Sequence, residues 1–323
     1  MEEKLEIVII THNRARFLDE TLRQLAAGPF AACRVTVLDN CSTDETPSVC
    51  ASFTKIFPRY RIVRHHKNIG GVANILRAVE VSEGTYTWIL GDDDTYDFSE
   101  CEDVIQALKE ESFNMISVGS PGQYEWERGL RITAQELFKK GARFYCVFTF
   151  ISGFIFRTAD FDSECLELGY FIAGNLYPHF VYVNKAMENN YSICVSKRRI
   201  VHRGVENRPP FSALFWLASW VQSCRIIKDR VVRRRTIYEA FPRGRFVTNL
   251  IRCIVSDKLH KGVDNKIQLS RTPFLDGLII FNGLSFDQRL LFLMALPFAL
   301  VPAGVYRFLK RLYSISFQRG GAV

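Results

Sequence analysis

The sequence contains no Cys-x-x-Cys pair, no G-x-G-x-x-G or Walker lysine loop, no internal repeat and no low-complexity tract. Each absence removes a class of protein. Nine cysteines, odd in number and scattered from Cys33 to Cys253, indicate neither a zinc site nor a disulfide framework and fit a reducing compartment. Without a glycine-rich phosphate loop, dinucleotide-binding and P-loop readings are weak. Long apolar runs are scarce. The stretch Leu290–Tyr306 has 17 mostly apolar residues and is interrupted by Pro297 and Pro302, the short limit of what a bilayer-spanning helix needs. The opening Met1-Glu2-Glu3-Lys4 is acidic and leads straight into a strand, so no signal peptide is expected.

What remains is an ordinary globular composition, 48% hydrophobic and 24% charged over 323 residues, enough for one large or two modest domains. The net charge of +8 conceals an asymmetry. Residues 197–323 hold 23 Lys and Arg against 7 Asp and Glu, leaving 19 against 27 in the first 196 residues. A basic second part on an acidic first part suggests that the second part meets an anionic surface.

The first 112 residues alternate short apolar runs with amphipathic stretches. Glu6–Ile10, Val35–Leu38, Arg61–Val63 and Tyr86–Leu90 read as strands. Helices are expected after Asn13 as N-cap, after a Ser42/Glu45 capping box (to about Phe57), after Gly70-Gly71, and after a Ser99/Glu102 capping box. Such alternation implies a parallel sheet with right-handed crossovers. Beyond Met115 the pattern loosens. Met115–Val118 is a strand and Pro121–Arg131 a polar loop exposing Tyr124 and Trp126. Ala134–Lys140 is a short helix, Phe144–Arg157 is strand-like, Gly174–Asn190 resembles a helix, and Ile193–Val201 is a strand.

The strand exits carry the polar residues: Thr11 and Asn13, then Asp39, then the triplet Asp92-Asp93-Asp94 after Gly91. In an open α/β sheet that edge is where ligands bind. Three adjacent carboxylates repel one another and are costly to hold without a cation or hydrogen-bonding role, and oxygen-only ligands suit Mg²⁺ or Mn²⁺. A solvated acidic turn is the plainer alternative. Asp93 is expected to point away from its two neighbours, because alternate residues of an extended segment face opposite sides.

Four motifs in this order, Val8-Ile9-Ile10-Thr11-His12-Asn13-Arg14, Val37-Leu38-Asp39-Asn40-Cys41-Ser42-Thr43-Asp44-Glu45-Thr46, Asn68-Ile69-Gly70-Gly71 with Asn74, and Trp88-Ile89-Leu90-Gly91-Asp92-Asp93-Asp94, resemble the inverting glycosyltransferases of family 2. The resemblance covers residues 5 to about 205. It implies a GT-A fold, a mixed and mainly parallel sheet flanked by helices, over residues 1–205 (1–112 for the nucleotide sugar, 113–205 for the acceptor). It implies metal-dependent transfer of a hexosyl or other glycosyl group from a nucleotide-diphosphate sugar to an acceptor hydroxyl. By the same resemblance Thr11, Asn13, Asn68, Gly70, Asn74 and the base-contacting Asp39 line the donor site. Asp92 and Asp94 hold Mn²⁺ or Mg²⁺ and the ribose-diphosphate, with Asp93 beside them.

Many members carry a Glu-Asp pair in the second half, whose Asp removes the acceptor proton. Here the stretch reads Gly174-Asn175-Leu176-Tyr177-Pro178-His179. That leaves His179 as the candidate base, since imidazole titrates near neutral pH, with Asp160, Asp162 and Glu164 as weaker candidates. His202, at a strand exit, matches a position that completes the metal shell in some relatives, and Arg203 could clamp the diphosphate.

Residues 206–323 are expected to form a helical, basic, membrane-associating region. Its apolar segments Phe211–Val221 and Leu290–Tyr306 have basic flanks, which favours lying on the membrane over spanning it or packing in a core. Aliphatic runs between the basic residues suit lipid better than nucleic acid, so no nucleic acid partner is expected. This points to a peripheral enzyme on the cytoplasmic face of the membrane, using a lipid-linked saccharide acceptor in envelope polysaccharide or O-antigen assembly. A sugar nucleotidyltransferase and a non-catalytic, membrane-recruited partner are the alternatives. The first would want a glycine-rich, lysine-bearing loop after the first strand, and Thr11–Arg14 has neither residue.

Overall fold

The computed structural model describes residues 2–119, 126–141, 143–202, 204, 213–240, 246–259, 273–302 and 305–306. The chain divides into two compact units, Met1–Asn207 and Arg208–Val323.

The first unit opens with β1 (Leu5–Thr11), α1 (Ala15–Ala27), β2 (Arg34–Asp39), α2 (Thr46–Ser52), β3 (Tyr60–Arg64), α3 (Gly71–Val81), β4 (Tyr86–Gly91), β5 (Thr95–Tyr96) and α4 (Glu102–Glu110). It continues with β6 (Met115–Ser117), β7 (Arg131–Thr133), α5 (Ala134–Lys139), α6 (Phe144–Val147), β8 (Phe154–Arg157), α7 (Ser163–Phe171), α8 (Phe180–Glu188), β9 (Ser192–Val195) and β10 (Val201–His202). Eight strands form one mixed sheet in the order β3-β2-β1-β4-β8-β6-β9-β7, and β10 pairs with β5 in a separate two-stranded ladder.

The four leading strands are parallel; β1, β2 and β4 are buried on both faces, whereas the edge strand β3 is half-exposed and carries Arg61 and Arg64. Leu18, Leu22 and Leu25 of α1 join Phe53 at the end of α2 and Val104 and Leu108 of α4 in one core with Ile7, Ile9, Val35, Val37, Trp88 and Leu90. α3 lies against β1 and α7, so close to α7 that a Cβ on Gly169 would sit 2.8 Å from Leu76 Cδ2. The core of the later half is aromatic. Tyr182 stacks on Phe161 at 5.5 Å and packs on Phe156 and Phe154.

Several local expectations change. Neither Ser42/Glu45 nor Ser99/Glu102 caps a helix: α2 and α4 begin after Glu45 and Cys101 with no side-chain cap. Ser42 is drawn instead into bonds with Asp39 and Asn13. Asn13 is not the N-cap of α1 either; Arg14 holds that place. Phe144–Arg157 is a short helix, a 3-10 turn and a four-residue strand, and the segment expected over Ile193–Val201 breaks into β9 and β10. Trp126 is buried against Phe148, its ring too large to leave in water beside an apolar neighbour. Tyr124 lies outside the described residues.

At the sheet edge where β1 begins, Glu6 is fully buried, which an apolar reading of its strand does not anticipate. Its carboxylate accepts from Thr36 Oγ1 at 2.7 Å and from the amides of Glu83 and Gly84 at 2.6 and 3.1 Å, and pairs with Arg61 at 2.9 Å. A buried charge is tolerated only when so many donors converge on it.

The second unit contains α9 (Ala213–Ser223), α10 (Arg230–Glu239), α11 (Phe246–Leu259), α12 (Pro273–Gly283) and α13 (Phe286–Leu300). α9 buries Leu214, Phe215, Leu217, Trp220 and Val221, and packs on α11 and α12. α13 accommodates Pro297 near its end, and the second half of the stretch Leu290–Tyr306 is largely past the helix. Among the described residues no helix is long and apolar enough to cross a membrane.

Replacing Glu6 by alanine leaves the Thr36 hydroxyl and the Glu83 and Gly84 amides without their acceptor, while Arg61 keeps Glu83 and the Val81 carbonyl. The replacement is expected to cost about 1–3 kcal/mol of stability, read as a lowered denaturant midpoint with an unchanged slope.

Candidate active site

Parallel register decides what meets what at the opposite edge. Thr11 stands beside Asp39, and Ile10 beside Gly91, so the exits of β2, β1 and β4 open side by side. The strand order reverses between β1 and β4, where open α/β sheets form their binding crevice.

The aspartate turn sits in that crevice, and Asp92 and Asp94 are 4% and 5% exposed. Thr11 Oγ1 donates to Asp92 Oδ2 at 2.7 Å, and Thr21 Oγ1 donates to the Asp92 carbonyl at 3.0 Å. Arg14 bridges two of the acids, its Nε 3.1 Å from Asp92 and its Nη2 2.8 Å from Asp93. The Gly91 amide is anchored on Ser152 Oγ at 3.0 Å, and the Gly204 amide lies 3.4 Å from Asp94 Oδ1. Gly204 has to be a glycine, because a Cβ there would fall 2.1 Å from the Asp93 carbonyl oxygen.

Burial pushes Asp92 up to about 7 despite Arg14 and Thr11. Burial, together with the field of Asp94, Asp93 and Asp92, raises the Tyr96 phenol well above its ordinary value. The turn opens on a hollow of about 190 Å³ lined by Arg16, Phe17, Glu20, Thr95 and Gly204 as well as the three acids. Arg14 and Arg16 lie over the Phe17 ring at 4.6 and 4.9 Å.

Beside the turn, Asp39 is 1% exposed; one carboxylate oxygen accepts from the Ser42 amide at 2.9 Å. The other lies 3.2 Å from Arg64 Nε without hydrogen-bond alignment and has no hydrogen-bond partner. A buried acceptor left with spare capacity suits a ligand N–H. Asn13, at φ 53°, accepts from the Thr43 amide at 2.7 Å and ties the β1 exit to the β2 exit. Asn68 accepts from Asn40 Nδ2 at 2.9 Å and from the Gly70 amide at 2.8 Å, and Gly70 takes a positive φ of 85° before α3. Asn74 is buried, with Oδ1 2.9 Å from His65 Nε2. Its side chain therefore holds the β3 exit together and does not reach into the crevice.

The histidines behave differently from their expected roles. His179 is 2% exposed at the start of α8, with Nε2 3.1 Å from the Thr149 carbonyl and its ring against Phe154. Burial pushes it down to about 4, hydrogen bonding to backbone carbonyls notwithstanding. A neutral, enclosed imidazole does not suit the removal of a proton from an incoming hydroxyl. Asp160 accepts from Asn114 at 2.8 Å; Asp162 caps α7 and pairs with Lys185 at 2.6 Å, so both serve the scaffold, and Glu164 is exposed. His202 is brought opposite Thr95 by the β10–β5 pairing, next to the aspartate turn, and is exposed. Arg203 lies outside the described residues. Among the described residues, no three His, Cys, Asp or Glu side chains are grouped to hold a metal ion. Arg14, Arg64, Asn40, Thr21 and Ser152 are the site residues that sequence reasoning did not single out. For Arg14 and Arg64 the signal was present, since each stands at or just after a strand exit facing an acid.

The sheet order, the switch point and the acid turn at the end of β4 define a GT-A-type nucleotide-sugar transferase fold. Residues 6–166 match the family model for Glycosyl transferase family 2, and the chain carries a domain of that family. The glycosyltransferase GlyG of Streptococcus pneumoniae is 24% identical over 130 residues, 40% of this chain and 42% of that protein. The abequosyltransferase RfbV of Salmonella typhimurium is 24% identical over 225 residues, 62% of this chain and 66% of that protein. The chain thus spans about two fifths of one of these curated relatives and just under two thirds of the other. The crystal structure of S. aureus TarS 1–349 in complex with UDP-GlcNAc superposes with a TM-score of 0.61 at 15% identity, over 97% of this chain and 92% of that one.

The folded-state pKa of His179, near 4, lies below its ordinary 6.5. The unfolded chain therefore binds the extra proton between those values, and the stability the neutral ring contributes is present above pH 6.5 and lost as pH falls toward 4. His179→Gln, whose amide can still donate to Thr149, is expected to flatten that acid limb of the denaturation free energy while leaving its value at pH 8 within about 1 kcal/mol of the parent's.

Proposed function

We propose that the chain transfers a glycosyl residue from a nucleoside-diphosphate sugar to an acceptor hydroxyl with inversion at the anomeric carbon, and that the acceptor is a lipid-linked saccharide of envelope polysaccharide assembly. The observation that carries this reading is the burial of Asp92 and Asp94 together at the switch point, beside the Asp39 carboxylate oxygen that has no hydrogen-bond partner.

Asp39 accepts an N–H of the base, the Asn68–Gly70 turn lines the base and ribose, and Thr11 and Asn13 fix the floor between them. Expulsion of a nucleoside diphosphate builds negative charge on phosphate oxygens. Arg16, over Phe17 on the wall of the hollow, is suited to meet it. The donor set also fits a hard dication. Asp92 and Asp94 would hold Mn²⁺ or Mg²⁺, with His202 as an additional ligand if its exposed ring turns inward, and the ion would supply Lewis-acid stabilisation of the leaving diphosphate. Thr11 and Arg14 keep the Asp92 carboxylate oriented, and Ser152 and Gly204 keep the turn from moving. The helical unit, with the exposed apolar residues Phe286, Leu290, Leu293 and Met294 among basic ones, would rest on the cytoplasmic face of a membrane and meet the lipid-linked acceptor there. Arg14 stands where a nucleotidyltransferase would need its loop lysine, and its guanidinium is committed to Asp92 and Asp93.

The buried His179 gives one specific reason to consider a binding protein without turnover. Screening UDP-, GDP-, CDP- and dTDP-sugars by thermal shift with Mn²⁺ is expected to identify a donor that raises the unfolding temperature. That donor should then release nucleoside diphosphate in the presence of acceptor. Asp94→Ala or a chelator is expected to lower the release about 10²-fold or more. A stabilising donor with no release under any acceptor would indicate the non-catalytic reading, and release indifferent to Asp94 would refute the site.

A further inference from the structure

The helical unit carries a second, open cavity of about 550 Å³ at the start of α13. That volume falls within the range of small-molecule sites, about 300–1,000 Å³. Five guanidinium groups line it, from Arg225, Arg230, Arg233, Arg234 and Arg289. The nearby acids are already engaged. Asp287 pairs with Arg234 at 2.7 Å, and Asp229 accepts from the amides of Val231 and Val232 as the cap of α10. Arg289 donates to the Phe281 and Asn282 carbonyls, and Arg233 lies 3.5 Å from the Ile227 carbonyl. Arg225 and Arg230 are exposed, and neither guanidinium makes an ion pair or hydrogen bond among the described residues.

The second observation is Gln288, which is fully buried on the cavity wall. Its Oε1 accepts from the Ser285 amide at 3.0 Å and from Ser285 Oγ at 2.9 Å, which fixes the orientation of the amide. The Nε2 group is thereby left with its hydrogens unpartnered. A buried donor without an acceptor is costly, and here it stands in the first turn of a 15-residue helix whose dipole is positive at that end.

We infer that this cavity binds a phosphate-bearing anion of at least two negative charges, held by the guanidinium groups of Arg225 and Arg230 and by the Gln288 amide. The inference stands apart from the donor-site reading, since every residue in it belongs to the helical unit. The exposed row Phe286, Leu290, Leu293 and Met294 occupies the neighbouring face of α13, so a lipid-borne phosphate can present its head group and its chains together. A soluble diphosphate offers the same head-group chemistry.

The probe is inorganic pyrophosphate, titrated calorimetrically into the full chain in the presence of a chelator. Because Arg225 and Arg230 are exposed, the R225Q/R230Q variant should fold normally. It is expected to weaken binding at least about tenfold, the loss of charge-assisted bonds. The charge-matched control K139Q/K140Q, in the first unit, is expected to bind as the parent does. Sedimentation with phosphatidylcholine vesicles, with and without phosphatidic acid, separates the sources. Binding that needs phosphatidic acid, competes with pyrophosphate and is lost in R225Q/R230Q assigns a lipid phosphate. Pyrophosphate binding with no vesicle competition assigns a soluble one. No pyrophosphate binding, or equal loss in R225Q/R230Q and the control, overturns the site.

Discussion

The structure depends on β1 being held between β2 and β4 in parallel register. That pairing places Thr11 next to Asp39 on one side and within 2.7 Å of Asp92 on the other. No single residue could bring these groups together, since they come from exits separated by 28 and 53 residues of chain. The apolar ladders beneath them, buried on both faces, fix the geometry by packing and not by the polar contacts themselves.

The same edge carries the electrostatic tension of the molecule. Three consecutive acids are pressed into a protein wall with one arginine bridging two of them. Burial wins over that arginine at Asp92, and burial with the field of the three acids raises the Tyr96 phenol. The surroundings are built to keep this turn in place. Ser152 holds its first amide, Thr21 its carbonyl, and the absent side chain of Gly204 lets a second segment lie directly against Asp93. Glu6, at the other end of β1, shows the contrasting solution, a buried carboxylate satisfied by Arg61, Thr36 and two amides.

The strands of the first half and the exits that bear Thr11, Asp39 and Asp92–Asp94 were legible in the sequence, because buried parallel strands are continuous apolar runs and polar residues at their ends stand out. Helix starts were not. Ser42/Glu45 and Ser99/Glu102 have capping-box spacing, but Ser42 is claimed by Asp39 and Asn13, and a local pattern cannot reveal a tertiary competitor. Asn74 and His179 misled for the same reason: each has site-like chemistry, but packing turns it to His65 or encloses it beneath Phe154. Asn40 is the converse, an unassigned residue whose two amide bonds hold the Asn68 turn. The arginine cavity of the helical unit was legible only as a charge surplus, because the convergence of Arg225, Arg230 and Arg289 depends on how α10 and α13 fold back.

The proposed chemistry requires the aspartate turn at the end of β4 to be a cation site for a nucleoside diphosphate. The most direct measurement is anomalous diffraction from crystals grown with Mn²⁺ and the nucleoside diphosphate of the stabilising donor. The account predicts an anomalous peak at roughly 2.0–2.2 Å from carboxylate oxygens of Asp92 and Asp94, with the diphosphate on its far side. A diphosphate bound in the crevice against Arg14 and Arg16, with no anomalous density at those carboxylates, would contradict it.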